Sequence, residues 1–199
     1  MASQVDIANL ALSILGEAPI ISLTDDVPRA RVINLLFATS RDAVLRLHPW
    51  NFAVFRKVLV QKTETPAFGF SKVFALPSDF LRLLALNDGR DEYQIEADGL
   101  LSNVDTAQLR YVGRVTDTAR YDPLFVQTLA AYIAAEAAMP ITNSQSIEKR
   151  AADKFHEKLA EARSVDGMEN YPDTFVADAF IEAFLGGEQT FRAISPFNP

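Results

Sequence analysis

Between about residues 52 and 116 of this 199-residue chain, the apolar side chains change their period. On either side they recur every three or four residues, as on one face of a helix. Inside the interval they form short runs broken by Asn, Asp and Gly. Such a pattern excludes a pure bundle and a pure sheet alike. Segments 52–62, 73–76, 81–86 and 93–96 are predicted to be extended, with turns at Asn87-Asp88-Gly89 and Asp98-Gly99. Leu109, Tyr111 and Val115 alternate with Arg110 and Arg114, as one side of a half-buried strand does. The predicted fold class is α+β, mainly α. Residues 1–50 and 117–166 form a four-helix bundle, 51–116 an inserted small antiparallel β region, and 167–199 an extended C-terminal arm.

The helical stretches carry their own punctuation. In the first, Ile7, Leu10, Ala11 and Ile14 share a face, and Gly16 stops the run. The second follows three potential caps, Thr24, Asp25 and Asp26, with Pro28 in its first turn and Pro49 beyond its end. It carries two apolar stripes. Val32, Leu36, Thr39, Ala43 and Leu47 make one, and Ile33, Phe37 and Val44 the other. A helix striped twice must be covered on two sides, either by its own bundle or by a neighbouring subunit, and Ile33, Phe37 and Val44 are the candidate interface residues. The third helix opens at Asp122-Pro123. It presents a large face (Phe125, Leu129, Tyr132, Ile133) and a small one (Ala130, Ala134, Ala137, Ala138), and Pro140 is expected to close it. The fourth begins near Asn143, burying Ile147, Ala151, Phe155, Leu159 and Ala162 and turning its charges from Glu148 to Arg163 to water.

The net charge of −7 works against a protein that grips nucleic acid, since phosphate binding needs a local surplus of Lys and Arg. With no cysteine, disulfides, thiolate nucleophiles and Cys-based zinc sites are excluded. The first 17 residues carry Asp6 and no basic cluster, and read as an amphipathic helix rather than a signal peptide. No apolar run is expected to reach the roughly 18 residues that span a bilayer. The expectation is a soluble, unprocessed protein with no membrane partner.

Chemistry-bearing patterns are sparse. The eight glycines form no phosphate-cradling motif. Asp153, His156, Glu157 and Glu161 share a helix face but lack the second histidine of a zinc-binding helix, so a solvated face explains them better. His48 precedes Pro49-Trp50-Asn51-Phe52 with no Ser, Cys or acid partner close in sequence. Capping or packing is expected of it, and Trp50 should anchor the junction between bundle and sheet. Glu136, the sole charge within the third helix, is expected on its exposed edge. Asp25 and Asp26 read as caps rather than as a hydrolytic acid pair. Arg29, Arg31, Arg41 and Arg46 are expected to form salt bridges rather than nucleic-acid contacts. No catalytic residue, metal or cofactor is assigned.

The last thirty residues differ in kind. Phe175, Phe180, Phe184, Phe191 and Phe197 are spaced among Pro172, Gly186-Gly187, Pro196 and Pro199. One short element cannot bury five such rings, and full burial of each is worth roughly 1.5–3 kcal/mol. These phenylalanines are candidate interface residues of an arm that docks on the same subunit or on another, and their spacing suits an arm gripping a partner.

Taken in order, several motifs resemble one family. Ala8-Asn9-Leu10-Ala11-Leu12-Ser13-Ile14-Leu15-Gly16-Glu17-Ala18-Pro19-Ile20, followed by Ile21-Ser22-Leu23, is similar to the opening of the tail tubular protein A family of short-tailed bacteriophages. Arg41 with Pro49-Trp50-Asn51-Phe52, Leu76-Pro77-Ser78-Asp79-Phe80-Leu81-Arg82, and Tyr111-Val112 with Val115-Thr116-Asp117 continue the likeness. So do Phe125 with Leu129-Ala130-Ala131-Tyr132-Ile133-Ala134, and Ile141-Thr142-Asn143-Ser144. The series runs from residue 7 to about 165 and does not include the arm. The resemblance implies a structural virion protein of the viral tail, assembled in the host cytoplasm. It implies a homo-oligomeric ring, a dodecamer, between the portal protein and the tail nozzle (tubular protein B), with genomic DNA passing through the lumen without specific binding. Two other classes compete: a tail-associated cell-wall hydrolase, which needs two carboxylates of divergent pKa in a cleft, and a monomeric assembly or binding factor.

Overall fold

The computed structural model describes residues 2–96 and 99–169. They form an α+β fold of four helices, α1 (Gln4–Leu15), α2 (Pro28–Leu47), α3 (Pro123–Thr142) and α4 (Gln145–Met168), with six strands between α2 and α3. The strands are β1 (Val54–Val58), β2 (Lys72–Phe74), β3 (Phe80–Leu86), β4 (Tyr93–Glu96), β5 (Gly99–Ser102) and β6 (Gln108–Gly113). They make two three-stranded antiparallel sheets, ordered β1-β6-β3 and β2-β5-β4, where the alternation suggested one. The turn at Asn87-Asp88-Gly89 is present, with Asn87 and Gly89 both at positive φ. It does not close a hairpin, because β3 pairs with β6 and β4 with β5. Residue 98 of the other expected turn, like the arm from residue 170, lies outside the described residues.

Helix α3 is the axis of the helical part. Its alanines 130, 134, 137 and 138 are buried, as are Ala8 and Ala11 of α1, and such small side chains let two backbones approach closely. Asp122 caps α3, its carboxylate accepting from the N–H groups of Leu124 (2.7 Å) and Phe125 (3.3 Å). Pro140 does not close the helix. The carbonyl it leaves without an N–H belongs to exposed Glu136, where water can reach it, and the chain turns out only at Asn143, in the left-handed region. Helix α4 meets α3 through the Tyr132–Phe155 edge contact (5.0 Å), and the Thr128 hydroxyl donates to the Lys158 carbonyl (3.2 Å).

One other boundary differs from expectation. Helix α2 has Val27 as its N-cap and no side-chain cap. Asp25 instead accepts from the N–H groups of Ile21 (2.8 Å) and Ser22 (3.2 Å), closing the preceding loop, while Asp26 pairs with Arg31. At the start of α1, Ser3 and Asp6 form a reciprocal capping box, whose hydrogen bonds hold the Asp6 carboxyl below its ordinary range. Helix α3 also passes the length and hydropathy test for a membrane span, contrary to expectation, but much of it is buried in the core. Its apolarity is that of a central helix.

The sheet β1-β6-β3 serves two cores. Val112 and Leu81 join the helical cluster, whereas Leu109, Tyr111 and Leu86 join Phe74 and Leu100 of the second sheet. Alternation along β6 sends successive side chains to opposite faces, so one strand feeds both. Two buried phenols tie these layers together. Tyr121 donates to the Val115 carbonyl (2.8 Å), and Tyr111 to the Asp79 carboxylate (3.2 Å). Burial pushes both hydroxyls up to about 12 from an ordinary 10.0, helped at Tyr111 by the Asp79 charge. A raised phenol pKa means that the fold prefers the protonated ring. The stability it confers is therefore full below pH 10 and is lost as pH climbs toward 12. Urea midpoints measured against pH should fall across that window. They should fall less steeply in a Tyr111→Phe/Tyr121→Phe variant.

Candidate functional site

His48 has an acid partner after all, but it is 118 residues away. Helix α2 stops at Leu47, and Pro49 forces His48 into extended backbone (φ −142°). The last turn of α4 returns to this point. Asp166, buried, accepts at Oδ1 from the Asn51 N–H (3.0 Å), and its Oδ2 lies 2.8 Å from His48 Nε2. Asn51 Nδ2 donates to the Asp166 carbonyl (2.9 Å), and Arg163 donates to the Leu47 carbonyl (2.7 Å). Beside them Trp50 donates its indole N–H to the Val44 carbonyl (3.0 Å). Its ring meets His48 (4.8 Å) and Phe125 (5.1 Å) edge-on. Trp50 thus anchors the junction as expected. These hydrogen bonds each join one element to the end of another, so the cluster acts as a brace between α2, β1 and α4.

The other polar candidates are scattered. Asp153, His156, Glu157 and Glu161 are exposed along α4, where Glu161 pairs with Lys158 (2.8 Å). Among the described residues no group of three or more His, Asp or Glu side chains converges as a metal would require. Glu136 is exposed. Of the four arginines of α2, Arg31 pairs with Asp26 and Arg41 with Asp42 (2.8 Å), whose other oxygen holds Arg114 (2.7 Å). Arg46 departs from the expected salt bridge. It donates to the Leu81 carbonyl (2.6 Å), and Arg82 donates back to the Arg46 carbonyl (2.9 Å).

The three interface residues assigned on α2 are corrected. Ile33, Phe37 and Val44 are buried in the subunit's own helical core, so they are not available to a neighbour. The other stripe is the partly open one. Val32, Leu36 and Ala43 are only half-buried, Thr39 and Leu47 are exposed, and the adjacent Leu35 is 79% exposed. In the loop before α2, Ile21 is 91% exposed. On α1, Leu10 is exposed rather than buried, and with Ile14, Val126 and Ala130 it lines a cleft of about 660 Å³ between α1, α3 and α4, edged by Lys154 and Lys158. In the β part, Val58, Val60, Phe68, Tyr93 and Ile95 are also exposed. The candidates Phe175, Phe180, Phe184, Phe191 and Phe197 lie outside the described residues.

No known family's sequence model matches this chain, and no curated protein is significantly similar to it.

Proposed function

We propose that this protein is a structural, non-catalytic subunit of the ring-shaped adaptor joining the portal to the tail nozzle of a short-tailed bacteriophage. In this reading the four helices are the subunit's bundle, residues 51–116 its inserted domain and residues 167–199 the arm that reaches a partner. The ring surrounds the path of DNA ejection.

The observation that carries the reading is the ordered series of family-like motifs, together with what those residues do. Asn9 brackets Ile20 with two hydrogen bonds (3.0 and 2.8 Å), and Gly16 ends α1 at φ +80°. Trp50 locks the α2–β1 junction. Asp79 takes the Tyr111 hydroxyl through its carboxylate and the Arg114 N–H through its carbonyl (2.6 Å). Asn9, Gly16, Trp50, Asp79 and Tyr111 each hold a joint of the fold, which is the use a structural subunit has for them.

The test is assembly. Purified protein, sized alone and with its portal, is expected to join the portal as a multimeric ring visible by electron microscopy. A protein that stays monomeric with the portal present, or that clears cell wall in a zymogram, overturns the proposal.

A further inference from the structure

We infer that the cleft between α1, α3 and α4 receives residues 174–185 from the C-terminal arm of a neighbouring copy. The inference rests on the ring reading above and names the contact by which one subunit would hold the next.

The cleft has an apolar floor. Leu10 and Ile14 stand four residues apart on α1, and Val126 and Ala130 four apart on α3, so each pair shares a helix face. Leu10 is 44% exposed there, and the volume of about 660 Å³ lies in the range that houses a compact ligand. The rim is basic. Lys154 and Lys158 also stand four apart, on α4, and among the described residues no acid lines the cleft with them. Lys158 shares its ammonium with Glu161 (2.8 Å), whereas the Lys154 ammonium has no partner among the described residues.

The arm carries the complement. Residues 170–199 hold four acids against one base. Within 174–185, Ala177, Phe180, Ile181 and Phe184 recur at the spacing of one helix face, and Asp178 and Glu182 stand four apart at its border. An amphipathic segment with this pattern lays its apolar side in a groove. Two carboxylates spaced as the two lysines are can meet both at once, with Phe180 and Phe184 over the apolar floor.

Chain length selects a neighbour's arm over the subunit's own. Helix α4 runs on past the cleft to Met168. At 1.5 Å per residue that is about 15 Å beyond Lys158 and about 21 Å beyond Lys154. A segment doubling back from residue 174 as a helix would carry Asp178 and Glu182 only about 6 and 12 Å along that path. Both acids would stop short of both lysines. An arm from a neighbour has no such tether.

The experiment uses full-length variants with native circular dichroism: Lys154→Glu/Lys158→Glu in the cleft, Asp178→Lys/Glu182→Lys in the arm, and all four substitutions in one chain. Assembly is read by sedimentation at low salt and by ring formation on the portal. Each pair alone should associate at least about tenfold more weakly than the native protein. An equimolar mixture of the two pairs should recover assembly. Each reversed arm then finds a reversed cleft and each native arm a native one, and a fold defect cannot produce that rescue. The fourfold chain should assemble as the native protein does. Phe180→Asp/Phe184→Asp should be as weak as either charge pair, and mixing should not rescue it. Rescue in the fourfold chain without rescue on mixing would show the cleft taking its own copy's arm, and overturns the inference. Native rings with both pairs assembling normally, or with no rescue of either kind, also overturn it and leave the adaptor reading standing. Arm variants that lose portal attachment while cleft variants keep it assign the arm to the portal instead. A native protein that never multimerises overturns both readings.

Discussion

Trp50→Ala should lower the unfolding free energy by about 3–5 kcal/mol, the range for removing a large buried aromatic. The side chain is 1% exposed and sits where the helical part meets the first strand. Its loss opens a cavity bounded by Phe125, itself fully buried and in edge contact with Phe52 (4.9 Å) and Tyr121 (4.9 Å). It also leaves the Val44 carbonyl without the indole donor at the end of α2. Trp50→Phe separates the two contributions, since it keeps most of the ring volume and removes the hydrogen bond. Urea unfolding followed by circular dichroism should rank the native protein above Trp50→Phe, and Trp50→Phe well above Trp50→Ala. A loss under about 1 kcal/mol for the alanine variant would mean that the junction repacks freely and that Trp50 is no anchor.

How far such features can be read from sequence depends on how local their causes are. The helices were legible because their causes are local: Asp122-Pro123 marks the start of α3, Gly16 the end of α1, and the alanine face of α3 declares a close helix–helix approach. The change of period marked the β part. Strand pairing was legible only where it is local: β4 and β5 follow one another across the turn expected at Asp98-Gly99, whereas β6 enters between β1 and β3, and β5 reaches β2, from a distance along the chain. Both stripes of α2 are apolar, and periodicity cannot say which one faces the subunit's core. Ile33, Phe37 and Val44 were assigned outward and the structure turns them inward. Asp166 left no signal at all. It sits in a charged helix like any solvated acid, and only the fold brings it to His48 and Asn51.

That acid yields the second large effect. Asp166→Ala should cost about 3 kcal/mol, since hydrogen bonds to a charged acceptor are each worth roughly 1.5–3 kcal/mol and two are lost together. The Asn51 N–H and His48 Nε2 would then face a methyl group in a largely buried setting. The consequence is also directional. Arg163 and Asp166 pin the end of α4 to the α2–β1 junction, so releasing one loosens the last turn before residue 167. Amide hydrogen exchange should therefore quicken over about residues 160–167 and 48–53, while α1 and the centre of α3 keep their protection. Asp166→Asn keeps an acceptor for the Asn51 N–H but loses the charge, and should fall between the native protein and the alanine variant. Exchange that quickens uniformly across the chain, or not at all, would show that the brace does not hold the end of α4.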